Sequence, residues 1–330
     1  MSVKPVWPGS GRITLAALAV VPAALAYPWR SPREQWVLGV AVVAVIVLFG
    51  WWRGLHFTTI LRRGIGLLWG RGSQPGAAMA PDAKTTALLR IGSPAAGDDV
   101  LPLALIARYL DRYGVRLDSI RITSRDSAAG ERDTWIGLTL SAAANLAALR
   151  ARSERIPVRE TVEVVARRLA DHLRELGWEA NPADADDVPG LLAADARERW
   201  NWVQQGESDY TAVYRVDVDD KLAATLDAVR SQPAFETWTA LEIIETGEPG
   251  AHYALAAACA IRTQQPPERG GPLSALTPQL GYQRAALAAL DPLSTERLDG
   301  HVVAPDGLLS GLAWPTPEAG AHRAAGAARS

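Results

Sequence analysis

Two aspartates, Asp217 and Asp219, are the residues whose type and spacing best fit a chemical role, and Asp220 follows them directly. A D-x-D pair after a strand can hold a divalent cation against a nucleotide-sugar diphosphate, because hard cations prefer carboxylate oxygens. A simpler interpretation is that Asp219 caps the following helix and Asp220 complements the positive end of the helix dipole. We favour the cap and keep a metal site at Asp217 and Asp219, in a membrane-anchored glycosyltransferase-like enzyme, as the alternative.

Other motifs that carry enzyme chemistry are absent from the sequence. A P-loop needs a lysine directly after a glycine, and none of the three lysines follows one. The five histidines are scattered, none begins an H-E-x-x-H zinc helix, and the G-x-S-x-G and G-x-G-x-x-G patterns are missing as well. The single cysteine, Cys259, excludes a disulfide framework and a cysteine-based metal site. We therefore predict no catalytic residue and no cofactor, with Cys259 in the core and His172 on the surface of a helix.

The element that organises the chain is a pair of apolar runs near the N-terminus, residues 13–29 and 36–52, joined by a six-residue polar turn. Each run is uncharged over about 17 residues, near the lower limit for a helix that spans a bilayer. A signal peptide and a buried helical pair are the competing interpretations, and the sequence favours a transmembrane hairpin. Tryptophans stand at the ends of the runs, where their amphipathic rings prefer the membrane interface, together with nearby arginines. The predicted interface residues are Trp29, Trp36, Trp51, Trp52, Arg53, Arg62 and Arg63.

The cations that flank the hairpin predict its orientation. Two cations lie in the turn and six lie outside the hairpin. The six are Lys4, Arg12, Arg53, Arg62, Arg63 and Arg71. Because cytoplasmic flanks carry the excess of lysine and arginine, we predict both termini in the cytoplasm of an inner-membrane protein. Residues 55–69 are expected to form either a juxtamembrane amphipathic helix or the end of the second span. Small residues in the first run predict its helix-packing face: Ala16, Ala19, Ala23 and Ala26.

The charge distribution divides the chain. Residues 1–72 contain eight lysines and arginines and one acid, a net charge of +7, and the whole chain is -2, so residues 73–330 carry -9. A basic anchor suits an anionic cytoplasmic leaflet, whereas the acidic remainder argues against a nucleic-acid-binding protein.

Beyond the hairpin, the sequence predicts a linker at 73–84, an α/β (α+β) cytosolic domain at 85–263, and an extended arm with a disordered tail at 264–330. The order strand, helix, strand, strand occurs twice, which suggests a duplicated β-α-β-β unit with helices on one face of the sheet. The first copy is predicted at 85–91, 101–113, 119–124 and 134–140, and the second at 211–216, 219–230, 236–245 and 252–263. Helices are predicted at 142–152 and 158–176, a short strand at 178–180, an acidic loop at 181–190, and a further helix at 191–205. The arm is expected to wrap on its own domain or on a partner.

Several segments resemble the EccE family, a membrane component of the mycobacterial ESX, or type VII, secretion system. The resemblance spans nearly the whole chain and is greatest for the members that serve the ESX system tied to iron and siderophore use. The segments are W-W-R-G at 51–54, YLDRYG at 109–114, RITSRD at 121–126, NLAALRARSERIP at 145–157, VVARRLADHLRELGW at 164–178, ETWTALE at 236–242 and LAALDPLSTERLDG at 287–300.

The resemblance implies a structural role in protein export. EccE is similar to a peripheral subunit of an inner-membrane core complex with EccB, EccC and EccD, in which EccC is the ATPase. The missing P-loop agrees with that division of labour. The family's cytosolic domain is similar in fold to some glycosyltransferases, but the resemblance implies no set of catalytic residues.

Overall fold

The computed structural model describes residues 51–52, 55–56, 83–94, 100–152, 157–193, 195–247, 252–268, 270–305 and 307–314. The chain divides into two compact units, residues 1–73 and 74–330.

In the first unit, the described backbone is extended and not helical. Trp51–Trp52 pairs antiparallel with Leu55–His56. The predictions that residues 51–52 end a spanning helix and that residues 55–56 begin a helical segment are therefore wrong, because these residues pair as strands. Residues 13–29 and 36–50 lie outside the described residues, as do Arg53, Arg62 and Arg63. Within the described ranges, no helix combines the length and the apolar character that crossing a membrane requires.

The second unit is a mixed α/β domain built on one large antiparallel sheet. Its main strands are β1 (Lys84–Pro94), β2 (Val115–Ser127), β3 (Arg132–Ser141), β4 (Trp178–Ala183), β5 (Asp209–Val216), β6 (Glu236–Glu245) and β7 (Tyr253–Thr263). Short strands are Asp111–Arg112, Arg197–Glu198, Val203–Gln205, Leu276–Pro278 and Val302–Val303. The helices are α1 (Leu103–Ala107), α2 (Leu146–Arg152), α3 (Val158–Glu175), α4 (Leu222–Arg230), α5 (Gln283–Leu290) and α6 (Leu308–Gly311), with 3-10 turns at Arg108–Leu110 and Ala185–Asp187.

The sheet follows the order β4-β1-β3-β2-β6-β7-β5, after which the strands at 203–205 and 197–198 complete one edge. The predicted order strand, helix, strand, strand is found twice, as β1-α1-β2-β3 and as β5-α4-β6-β7. In each set the last strand lies between the other two, and the two sets meet at the antiparallel pair β2 and β6, where Ile122 lies opposite Leu241.

Helices cover one face of the sheet, where apolar side chains of the strands form a continuous buried layer. Helix α3 buries an apolar stripe against β1, β3 and β4, as its periodicity predicts. The buried side chains of that stripe include Val162, Val165, Leu169 and Leu173. Gly177, with φ 88°, follows the end of the helix and turns the chain into β4.

The opposite face has its own apolar layer, which the arm covers. Trp135 and Trp238 stack across the centre of the sheet with ring centroids 5.7 Å apart and an interplanar angle of 11°. Leu287 and Leu290 of α5 are fully buried in the same layer. Helices therefore lie on both faces, and the prediction of helices on one face alone is wrong.

Three predicted helices differ from the structure. The helix predicted at 101–113 ends early, because residues 111–112 pair with 115–116 in a tight hairpin. The helix predicted at 142–152 begins only at Leu146. The helix predicted at 191–205 is absent, and two short edge strands occupy its second half.

Candidate functional site

The D-x-D aspartates lie at the surface, between β5 and α4. Asp217 and Asp219 are both exposed, and Asp219 Oδ1 accepts a hydrogen bond from the backbone N–H of Lys221 at 2.9 Å. Helix α4 begins at Leu222 with Lys221 at the N-cap position, so Asp219 closes the turn before the helix and is not its cap. No cluster of three potential His, Cys, Asp or Glu ligands occurs among the described side chains. The geometry gives the metal alternative no further ligand.

The strongest buried polar site is an ion pair that the sequence analysis did not identify. Arg121 of β2 and Glu242 of β6 are 2% and 0% exposed, and Arg121 Nη2 lies 2.7 Å from Glu242 Oε1. The two residues are direct neighbours in the register of the central strand pair. Both side chains point to the face that the arm covers, so the arm must satisfy their remaining hydrogen-bonding groups.

The arm supplies those partners from its backbone. Arg121 Nη1 donates to the carbonyl oxygens of Asp291 at 3.0 Å and Ser294 at 3.2 Å, and Nη2 donates to that of Glu296. The backbone N–H of Leu298 donates to Glu242 Oε2 at 2.7 Å. One ion pair thus fixes the course of the arm over residues 291–298.

His301 extends the cluster on the carboxylate side. Its Nε2 lies 3.1 Å from Glu242 Oε2, although the angle is poor for a regular hydrogen bond. Burial raises the pKa of Glu242, but His301 and Arg121 outweigh burial, and the pKa lies below its ordinary value. The carboxylate is therefore kept ionised and paired, which suits a structural clamp and not a general acid.

Two further contacts hold the arm on the sheet. Gly137 of β3 lies directly beneath the arm, where an added Cβ would overlap the carbonyl oxygen of Pro292. Trp314 is fully buried, and its Nε1 donates to Ser124 Oγ at 2.9 Å. The expected arm thus wraps on its own domain, and the tail after residue 314 lies outside the described residues.

A row of alternating charges crosses the same face of the sheet near one end of its strands. Arg90, Asp133, Arg125, Glu236, Arg262 and Asp209 come in this order from six adjacent strands. The Arg90–Asp133 and Arg262–Glu236 pairs are 2.6 and 3.0 Å long. The hydrogen bond to Asp209 contributes most to raising the pKa of Arg262. Each charge has a partner of opposite sign, so the row joins strands and leaves little free charge.

A contrasting cluster of arginine and tyrosine lies on the helix side, where the hairpin after α1 meets α3. The Arg112 guanidinium lies 4.8 Å from the ring centroid of Tyr109 and 5.0 Å from that of Tyr113, and the Arg168 guanidinium lies 4.5 Å from that of Tyr113. Tyr109 is buried, and its hydroxyl lies 3.1 Å from His172 Nδ1. His172 is thus half-buried and hydrogen-bonded, which corrects the surface assignment.

Cys259 lies where the sequence predicts it. The thiol is fully buried in β7, and burial raises its pKa. It therefore stays protonated and inert, and we assign it to the core.

The sequence does contain a sign of the buried ion pair, namely one charged residue inside each of two apolar strands. Arg121 stands between Ile120 and Ile122, and Glu242 between Leu241 and Ile243. A single charge of each sign inside two apolar strands is costly unless the two charges meet. The partners in the arm could not be anticipated, because they are backbone groups, which no residue type marks.

Comparison with known proteins shows similarity along nearly the whole chain. Residues 128–216 match the family described as "Putative type VII ESX secretion system translocon, EccE". The chain is 57% identical over 324 residues to the ESX-3 secretion system protein EccE3 of Mycobacterium tuberculosis strain H37Rv, covering 98% of this chain and 97% of that protein. It is 47% identical over 295 residues to the protein of the same name from Mycolicibacterium smegmatis, covering 89% and 91%. Similarity of this extent shows that the chain belongs to the EccE family of the type VII (ESX) secretion system.

Proposed function

We propose that this protein is a non-catalytic structural subunit of an ESX-3 type VII secretion complex, peripheral to a core of EccB, EccC and EccD. The observation that carries the proposal is the 57% identity to ESX-3 EccE3 over 98% of the chain. A subunit of such a complex needs a stable surface for its neighbours, and the second unit supplies one, since the arm spans the sheet and clamps its central strands.

The proposal includes a membrane anchor. The uncharged runs at 13–29 and 36–50 form a helical hairpin in the inner membrane, with both termini and the α/β domain in the cytoplasm. The tryptophans and arginines at the ends of the runs meet the lipid headgroups. We retain the division of the rest of the chain into a linker at 73–84, a cytosolic α/β domain at 85–263 and an arm with its tail at 264–330.

A structural role also suits the chemistry of the buried groups. The ionised pair Arg121 and Glu242 is hydrogen-bonded to the backbone of the arm, and the D-x-D carboxylate of Asp219 holds a turn. Neither group is poised for proton transfer or for metal-assisted transfer of a sugar. The enzyme alternative therefore has no observation in its favour.

Co-purification tests the proposal. A tagged full-length chain, extracted in detergent from mycobacterial membranes, is expected to bring down EccB, EccC and EccD together. The double variant Asp217→Asn with Asp219→Asn is expected to assemble and to support secretion like the unchanged protein. Failure of the unchanged chain to recover any of the three subunits would refute the structural role. Loss of secretion by a variant that assembles normally would favour the enzyme.

A further inference from the structure

The exposed turn at Tyr113 has a backbone that its side chain does not favour. Tyr113 and Gly114 form a two-residue loop between the paired segments 111–112 and 115–116, with φ values of 59° and 70°. Two-residue hairpins of this kind need positive φ at both positions and usually place Asn or Asp first. Tyr113 is the only described residue other than glycine with positive φ. Tyr113 is 48% exposed, and its ring meets the edge of the Tyr109 ring with centroids 6.4 Å apart, so much of the ring faces solvent.

Two arginines flank that ring without a carboxylate partner. Arg112 and Arg168 make no ion pair with any side chain that the structure describes, although they lie beside the Tyr113 ring. Two other arginines of α3 form ion pairs, Arg159 with Glu163 at 2.9 Å and Arg174 with Asp171 at 2.7 Å, and Arg167 donates to the carbonyl oxygen of Glu163 at 3.3 Å. In a region whose net charge is -9, two unpaired guanidinium groups on one aromatic ring form a local positive site.

The surroundings of the site add an apolar contact and little opposing charge. Val164 lies one helical turn before Arg168 and is 38% exposed. Three acids lie close to the site in the chain or in space: Asp111 pairs with Arg116 at 3.7 Å, Asp171 pairs with Arg174 at 2.7 Å, and Glu175 lies within electrostatic reach of Tyr109. Exposed tyrosine and arginine side chains beside an apolar residue have the composition of an interface hot spot.

We propose that Tyr113, Arg112 and Arg168 form a docking site for an acidic segment of a partner protein. The two guanidinium groups bind Asp or Glu carboxylates of that segment, and the Tyr113 ring and Val164 contact its apolar atoms. Charge complementarity identifies the occupant. Two guanidinium groups beside aromatic and apolar carbon atoms match a segment that carries carboxylates next to apolar side chains. This inference extends the proposed function, since it places one contact of the complex.

The test uses the full-length chain in cells. Tyr113→Asn is the key variant, because Asn is favoured at the first position of this turn and the change removes the aromatic ring. The thermal midpoint of the variant is expected to equal or exceed that of the unchanged protein. The pair Arg112→Gln with Arg168→Gln removes the charge, and Arg159→Gln with Arg174→Gln is the matched control on the same helix. Both site variants are expected to lower recovery of partner subunits about tenfold, as the loss of one hot-spot contact does, and the control is not.

Site-specific photo-crosslinking identifies the occupant. A photoreactive phenylalanine analogue at position 113 is expected to crosslink to a segment of a complex subunit that is rich in Asp and Glu. Crosslinks to lipid alone, or variants that recover partners as well as the control, would overturn the inference while leaving the structural role intact. If the unchanged chain recovers no subunit, the proposed function fails. The docking site is then supported by a crosslink to a segment rich in Asp and Glu, and refuted by a crosslink to lipid alone.

Discussion

The ion pair of Arg121 and Glu242 shows how one residue of each sign can organise a fold. A charge inside a sheet is expensive to desolvate, and mutual attraction repays that cost only when the remaining donors and acceptors are satisfied. Here the arm supplies three backbone carbonyl groups and one backbone N–H group, and Arg121 Nε is left buried without a hydrogen-bond partner. The pair therefore determines where the arm lies more than it adds to stability.

Removal of one partner is expected to be severe. Glu242→Gln keeps the shape but leaves Arg121 buried and unpaired, and we expect it to lower the free energy of unfolding by about 3–5 kcal/mol. Chemical unfolding of the full chain in detergent, followed by tryptophan fluorescence, measures the effect. Glu163→Gln, which breaks the exposed pair on α3, is the control and should leave the unfolding midpoint unchanged. A midpoint shift for Glu242→Gln no larger than that of the control would contradict the role of the pair.

The pH dependence of stability follows from the same carboxylate. Its folded pKa lies below the ordinary value of 4.5, because His301 and Arg121 outweigh the effect of burial. The ionised group therefore stabilises the fold fully above pH 4.5, and this contribution is lost as the pH falls through the lowered pKa. Unfolding midpoints measured between about pH 3 and 7 should fall more steeply for the unchanged protein than for Glu242→Gln. Parallel curves would show that another carboxylate is responsible.

At the scale of elements, the arm depends on a close approach that only glycine permits. An added Cβ at Gly137 would meet the carbonyl oxygen of Pro292, which is backbone and cannot turn aside. Gly137→Ala is expected to lift residues 291–298 and raise their hydrogen exchange, while β2 and β6 remain protected. Gly190→Ala, where nothing lies within 4 Å, is the matched control. Unchanged exchange in the arm of Gly137→Ala would show that the arm is not held at this point.

The elements also show what the sequence can predict. The strands of the two repeated sets follow from alternation, and Glu236–Glu245 has the bounds that the pattern predicts. Helix α3 follows from its long apolar stripe, because a single face of period 3.6 has no competing interpretation. The helix predicted at 191–205 is wrong because the pairing of residues 203–205 with β5 outweighs helix propensity there; Trp200 and Trp202 lie between the two short strands. The course of the arm depends on tertiary hydrogen bonds, which leave no local pattern.

The arrangement of strands suggests how such a domain arises. Two sets with the same order and the same pairing meet edge to edge at β2 and β6, so each set protects the edge that the other would expose. The buried ion pair lies in that central strand pair, one charge from each set. The Arg121–Glu242 pair therefore joins the two sets of strands to each other as well as to the arm.

At the scale of the whole molecule, the cation distribution predicts the topology of the anchor. Six cations outside the hairpin and two in its turn predict that the turn lies on the far side of the membrane. In Ser31→Cys combined with Cys259→Ser, the new thiol should react with a membrane-impermeant reagent added outside the cell. The variant Ser73→Cys in the same background is the control and should react only after the membrane is opened. Labelling of position 31 from the cytoplasmic side alone would overturn the hairpin.

The anchor and the domain divide the work of assembly in a way that can be measured. Lipid tails are as apolar as the hairpin, so specific docking in the membrane must come from close packing of small residues. The first run offers a stripe of alanines, whereas the second presents mostly bulky valine and isoleucine. We expect Ala19→Leu with Ala23→Leu to weaken co-purification with EccD, and the equivalent change at Val42 and Ile46 to leave it intact.

We expect the cytosolic domain to carry most of the affinity for the complex, so a chain truncated after Arg71 should join it poorly. If the truncated hairpin assembles as well as the full chain, the domain is not the main attachment.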